Sequence, residues 1–144
     1  MGLMNAFNIG LEGISVHGKR VEIAAANIAN LDTPNYTRKI PILSSNQDQS
    51  FATVLSSMGT GALSSSAGLG GVNFDGIVED PTPGEKIYKP GHPDADENGY
   101  IRTSNTNAMV EIADATMAQR AYEASLGVIT ISKAMAVAPL DIGK

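Results

Sequence analysis

Cysteine and tryptophan are absent from the 144 residues, and tyrosine and phenylalanine number only four and three. Without cysteine there is no disulfide framework, no thiolate metal site and no thiol nucleophile. With so few aromatics, a core built on large rings gives way to an expectation of close helix packing. Long apolar runs are also missing. The longest are a few residues, such as Ala24-Ala25-Ala26, whereas a membrane span needs about 20. Positive charge is sparse: ten Lys and Arg, scattered from Lys19 to Lys144, face fifteen Asp and Glu, for a formal charge of −5. No basic face for nucleic acid can be assembled from them. Met1 to Gly10 holds neither a basic residue nor a continuous apolar run, so a cleaved signal peptide is not expected. On that ground alone the cytoplasm is the default compartment, unless a dedicated export route acts without a cleaved signal. What the chain does have is 42% hydrophobic residues against 17% charged, too apolar for a disordered tail. Its length suits one compact domain or one elongated subunit.

Three zones follow from patterning. In residues 1–36, apolar or small side chains recur at Met4, Phe7, Leu11, Ile14, Gly18, Val21, Ala25 and Ile28. Steps alternating three and four predict a helix that keeps one seam toward a partner helix. Gly10, Gly13 and Gly18 weaken it, each by roughly 1 kcal/mol relative to Ala. Such a helix needs packing to hold it, and its glycines let another backbone approach. It should end near Asn30, where Asp32-Thr33-Pro34-Asn35 supplies turn chemistry.

Residues 105–144 predict a second, longer helix from about Asn107 to Ala138. Asn105, Thr106 and Asn107 offer N-cap side chains, Glu111 and Asp114 suit the dipole, and Pro139 should stop it. Val110, Ala113, Met117, Ala121, Ala124, Val128, Ile131, Met135 and Ala138 form a seam. A second row, Leu126, Ile129, Ala136 and Leu140, lies on another face. Two antiparallel helices would bury one seam each and leave the second row exposed, as on a partner surface. Phe7, Leu11, Ile14, Val21, Ile28, Val110, Met117, Leu126, Val128, Ile129, Ile131 and Met135 are therefore the candidate packing and assembly residues.

Between them, residues 37–104 read as short strands and loops, with a Ser/Gly-rich stretch at 56–71 acting as linker or long loop. Strand candidates are Thr37–Leu43, Val72–Val78, Lys86–Lys89 and Tyr100–Thr103, and Asn98-Gly99 is a tight-turn signal of the hairpin type. The fold class is thus mainly α: an antiparallel coiled coil of N- and C-terminal helices with a small β-rich insertion.

No constellation for chemistry assembles. Asp94-Ala95-Asp96-Glu97-Asn98-Gly99-Tyr100-Ile101 matches the first eight positions of an EF-hand loop, but Arg102 and Asn105 stand at positions nine and twelve, where calcium ligands belong. His17 and His92 are far apart and lack metal-ligand spacing. Gly68-Leu69-Gly70-Gly71 has no following Lys-Ser/Thr for a phosphate loop. Asn35-Tyr36-Thr37 is formally a glycosylation triplet of a kind that is common by chance. No nucleophile–base pair is evident. The expectation is a protein that is not an enzyme and uses no cofactor or metal.

One motif carries a resemblance. Ala26-Asn27-Ile28-Ala29-Asn30-Leu31-Asp32-Thr33-Pro34-Asn35-Tyr36 resembles the N-terminal motif of flagellar axial proteins, with Asn27, Asn30, Thr33, Pro34 and Tyr36 as its marked positions. That motif usually ends Thr-Pro-Gly-Tyr. Asn35 stands for the Gly, and Asn is the next residue to tolerate a left-handed backbone, so the turn should be kept. Glu79-Asp80-Pro81, Tyr88-Lys89-Pro90-Gly91-His92-Pro93-Asp94-Ala95-Asp96 and Gly99-Tyr100-Ile101 resemble the centre of the FlgC rod family. Asn105-Thr106-Asn107, Glu111, Arg120-Ala121-Tyr122-Glu123-Ala124 and Lys133-Ala134-Met135 continue the likeness. Residues 47–71 match nothing recognisable.

The resemblance implies a structural subunit of the proximal rod of the flagellar basal body, assembling helically to carry torque from motor to hook. It implies terminal helices packed along the rod axis and a small outer β-rich segment. Expected partners are further copies of the chain, other rod proteins, the FliE adaptor and the flagellar type III export apparatus. Export without a cleaved signal into the periplasmic space is also implied, which accounts for the N-terminus. The alternatives are a sister rod protein or, from another class, a small calcium-responsive binding module.

Overall fold

The computed structural model describes residues 2–45 and 71–141, with side chains for 4–45 and 71–137. Its elements are helix α1 (Gly2–Ala29), strands β1 (Lys39–Ser45), β2 (Val72–Glu79), β3 (Lys86–Tyr88) and β4 (Tyr100–Arg102), and helix α2 (Ala108–Asp141). Strand β1 pairs with β2, and β3 with β4. The molecule is mainly helical, two long helices packed on each other with small β-ribbons inserted between them in sequence. The expected Ser/Gly-rich stretch 56–71 lies, apart from Gly71, outside the described residues.

The described residues gather into two compact units, to both of which the long helices contribute. One holds 2–16, 43–45, 71–74 and 121–141; the other holds His17–Ile42 and Asp75–Arg120. In the first unit α1 and α2 meet through small residues. A β-carbon placed on Gly10 would sit 2.7 Å from Ile129 Cγ1 and 3.3 Å from the Ser125 carbonyl oxygen. One placed on Gly13 would sit 2.5 Å from Ser125 Oγ. Moving up α1 by three residues moves down α2 by four, so the helices run antiparallel there. The glycines that weaken α1 as an isolated helix are what admit α2 at this distance.

The inward stripes correct the expected seams. On α1 the buried positions are Gly10, Gly13, Val16, Ile23, Ala24 and Asn27; on α2 they are Glu111, Ala118 and Ser132. The seam expected on α2 is turned outward within the chain: Val110, Met117, Val128, Ile131 and Met135 are all exposed, Ile131 by 62%. On α1, Met4, Leu11 and Ile28 are exposed, while Phe7, Ile14 and Val21 are half-buried. Both stripes obey the same three-and-four spacing, so periodicity alone does not rank them. Where α1 passes α2 at Gly10 and Gly13, small residues hold the inner position, because backbones that pack closely there leave no volume for Met or Leu. In the second row Leu126 is exposed, and Ile129 alone is shown to face α1, at Gly10.

Helix ends follow local chemistry. Asn107 caps α2: its Oδ1 accepts the Met109 N–H at 3.0 Å, and its carbonyl accepts the first helical bond, from Glu111 N–H. At the other end α2 continues through Pro139 to Asp141, contrary to the expected stop. Pro139 has no amide to bond the carbonyl one turn back, at Met135, but it lies so near the helix end that few further helical bonds depend on it.

The β3–β4 ribbon is antiparallel, with Lys86 opposite Arg102, Ile87 opposite Ile101 and Tyr88 opposite Tyr100. Asn98-Gly99 does not join its strands as a two-residue hairpin turn. It belongs to a tight turn inside the longer connection, in which Gly99 N–H donates to the Asp96 carbonyl at 2.9 Å. Gly99 has φ of 78° there, a left-handed value that glycine adopts without steric cost.

Candidate assembly site

In the second unit, the end of α1, the turn that follows and the start of α2 converge on one side chain. Asn27 is fully buried, so its amide must satisfy itself within the protein. It does so four times. Nδ2 donates to the Lys39 carbonyl and to Glu111 Oε2, each at 2.8 Å. Oδ1 accepts the Lys39 N–H and the Tyr36 hydroxyl, each at 3.0 Å. Two donors and two acceptor sites are all that an asparagine side chain has. Asn27 thus ties α1 to the beginning of β1, to Tyr36 and to α2.

Glu111, 2% exposed, carries its charge into that junction with two partners. Oε2 takes the Asn27 amide, and Oε1 accepts Arg38 Nε at 2.6 Å. The same guanidinium reaches Asp114 Oδ2 at 3.3 Å. The pairing offsets the cost of burying the carboxylate. Beside it, the Tyr36 hydroxyl titrates above its ordinary 10.0, because burial and then the charges of Glu111 and Glu79 oppose the phenolate. Arg38 is fixed a second time through its backbone, whose N–H donates to Asn105 Oδ1 at 2.7 Å. The Asn105 amide in turn donates to the carbonyls of Thr82 at 2.7 Å and Asp80 at 3.2 Å.

The turn between α1 and β1 is equally specified. Asn30 Nδ2 caps the Ala26 carbonyl at 2.8 Å, and its Oδ1 accepts the Thr33 hydroxyl at 3.2 Å. Pro34 prevents the helix from continuing. Asn35 takes φ of 59°, the left-handed conformation expected where an asparagine replaces glycine. Its N–H donates to the Arg102 carbonyl at 2.9 Å and so anchors the turn to β4. Asn27, Asn30, Thr33, Pro34 and Tyr36, five positions spread over ten residues, therefore form one connected structure. Arg38, Asn105 and the buried role of Glu111 were missed from sequence. The available signal was phase: Glu111 lies seven residues before Ala118, on the face later occupied by Ser125 and Ser132.

The acidic loop has a structural use. Asp96 Oδ1 accepts the N–H groups of Asn98 and Tyr100, each at 2.9 Å. Asp94 N–H donates to His92 Nδ1 at 3.2 Å. Asp96 spends that oxygen on backbone donors, which shape the turn.

Two family profiles match the chain. The flagella basal body rod protein profile covers residues 7–37, and the flagellar basal body rod FlgEFG protein C-terminal profile covers residues 97–138. Whole-length relatives are flagellar basal-body rod proteins FlgC. That of Buchnera aphidicola subsp. Acyrthosiphon pisum is 30% identical over 146 residues, with 100% of both chains covered. That of Bacillus subtilis is 30% identical over 154 residues, again with 100% of both chains covered. This chain belongs to the FlgC family of flagellar basal-body rod proteins. It is a structural subunit of the basal-body rod and assembles with other rod components. The Salmonella typhimurium FlgC, 28% identical over 150 residues with both chains fully covered, agrees. The two matched segments hold the two halves of the junction: Asn27, Asn30, Thr33, Pro34 and Tyr36 in one, Asn105 and Glu111 in the other.

Proposed function

We propose that this FlgC-family subunit works in the proximal rod, assembling helically with its own copies and with other rod proteins to carry torque from motor to hook. In that role it has no catalytic task. The supporting observation is the outward seam of α2, where Val110, Met117, Val128, Ile131 and Met135 are exposed at heptad-like spacing. A stripe of large apolar residues in coiled-coil phase, exposed among the described residues, suits a neighbouring helix. Repeated heterologous contacts with an open rotation generate a filament. On α1 the exposed Leu11 and Ile28, with the half-buried Phe7, Ile14 and Val21, form the corresponding stripe, and on α2 Leu126 adds to the outward surface while Ile129 packs against Gly10. Residues 1–36 and 105–144 act as the inner helical part, and 37–104 as the outer segment. The FliE adaptor is proposed as a neighbour at the rod base. The flagellar type III apparatus is proposed to export the chain without a cleaved signal, for assembly in the periplasmic space.

Substituting Ile131→Asp tests this. The carboxylate disrupts an apolar helix contact yet lies on a side chain exposed within the subunit. Incorporation into basal bodies and motility should be lost while secretion continues. A motile strain carrying this variant would refute the role given to the seam.

A further inference from the structure

The turn before β4 holds the chain's one Asn-Gly pair, Asn98-Gly99. That dipeptide is chemically labile: the glycine nitrogen attacks the asparagine side chain readily, because glycine has no β-carbon to block the approach. Here the fold requires the glycine. Its φ of 78° disfavours a side chain, and a β-carbon placed on it would sit 3.0 Å from both Tyr88 Cε2 and Pro90 Cβ. Asn98 is exposed, so water reaches its amide.

One residue holds the backbone around the pair. Asp96 Oδ1 accepts the N–H groups of Asn98 and Tyr100, each at 2.9 Å. The Asp96 carbonyl accepts the Gly99 N–H, also at 2.9 Å. The amides of Asn98, Gly99 and Tyr100 thus all end on Asp96. The Asp96 N–H donates in turn to the Tyr100 carbonyl at 2.9 Å, which ties the holder to β4. An amide nitrogen attacks only after giving up its proton, and donating that proton to a carbonyl stabilises the protonated form. To reach Asn98 Cγ, the Gly99 peptide must also leave its bond with Asp96.

We propose that Asn98 is a latent deamidation site and that Asp96 holds its reaction off. When the turn opens, the Gly99 nitrogen loses its proton to water and bonds to Asn98 Cγ. The Cγ–Nδ2 bond breaks, and Nδ2 leaves as ammonia with a proton taken from water. Water then opens the cyclic imide to aspartate or isoaspartate. The iso form lengthens the main chain by a methylene. The Lys89 N–H, which donates to the Gly99 carbonyl at 2.7 Å, ties β3 to β4 at this end, so the reaction loosens the ribbon there. The inference is independent of what the subunit assembles with.

Ageing the purified full chain in mildly alkaline buffer tests it, with deamidation at Asn98 read by peptide mass spectrometry. The folded chain should react at least roughly tenfold more slowly than the same chain in denaturing urea, because the turn must open first. Asp96→Ala should raise the folded rate about tenfold and leave the rate in urea unchanged, since the two bonds it removes exist only in the fold. Asp96→Asn keeps the accepting oxygen and should stay within about threefold of the unaltered chain. A folded rate equal to that in urea overturns the proposal, and this comparison needs no substitution, so it decides even if a variant is damaged. An Asp96→Ala chain no faster than the unaltered one overturns it too. So does an Asp96→Asn chain as fast as Asp96→Ala, which would assign the effect to the charge of Asp96 and not to its bonds.

Discussion

The two regions where α1 meets α2 are built on opposite principles. In one, Gly10 and Gly13 lie against Ser125 and Ile129, and the helices close by the absence of side chains. In the other, Asn27, Glu111 and Arg38 close the contact through hydrogen bonds that exhaust the amide and pair both carboxylate oxygens. Small residues bring backbones together but discriminate weakly between one register and the next. A saturated asparagine discriminates strongly, because sliding by one residue leaves buried donors without acceptors. Proximity and register are thus supplied by different stretches of the same two helices.

That division predicts unequal responses to mutation. Glu111→Ala should be the most damaging, costing about 3 kcal/mol, since it orphans one of the two Asn27 amide hydrogens in a buried site and leaves Arg38 only its contact with Asp114. Urea unfolding of the purified chain measures it, and a loss under about 1 kcal/mol would mean that the polar junction is not what sets the register. Gly13→Ala should cost less, about 1 kcal/mol net. The added methyl meets Ser125, and overpacking exceeds the ~1 kcal/mol that alanine gains in helix propensity. Adding Ser125→Ala should recover part of that loss. Stabilisation by Gly13→Ala alone would show that the helices can separate there freely.

The smallest effect concerns His17. Its Nδ1 is buried without a hydrogen-bond partner among the described residues, and burial first, then the Arg20 charge, hold its pKa below the ordinary 6.5. A depressed folded pKa means that the unfolded chain takes up the proton first as pH falls. The contribution is therefore present above 6.5 and is lost as pH drops through that value toward the lower folded pKa. The melting temperature should fall between pH 7.5 and about 5.5, and His17→Gln should flatten the fall. An identical slope in the variant would assign the pH dependence to other groups.

Much of this was legible beforehand, for stated reasons. Both helices, the Asn107 cap and the left-handed Asn35 follow from interactions within a few residues, and the four strands show as local propensity and turn signals, which the chain carries wherever it is placed. The axial motif was legible as a motif. The use of Asn27 was not, because its three partner residues, Tyr36, Lys39 and Glu111, become neighbours only after the turn and the second helix are in place. The inward seam was misread for a related reason. Hydrophobicity ranks Met117 and Ile131 above Ala118 and Ser132, but the distance between helix axes, which favours small side chains, is not written in either helix alone.

What the sequence determined by itself was therefore the elements, their caps and turns, one apolar seam on α1 and two apolar rows on α2, all consequences of local backbone and side-chain chemistry. Tertiary structure decided which stripe turns inward and gave Glu111 a buried partner set in place of a helix-dipole role. The reason is that close packing and saturation of buried polar groups are properties of pairs of segments, and neither is defined until both segments are present.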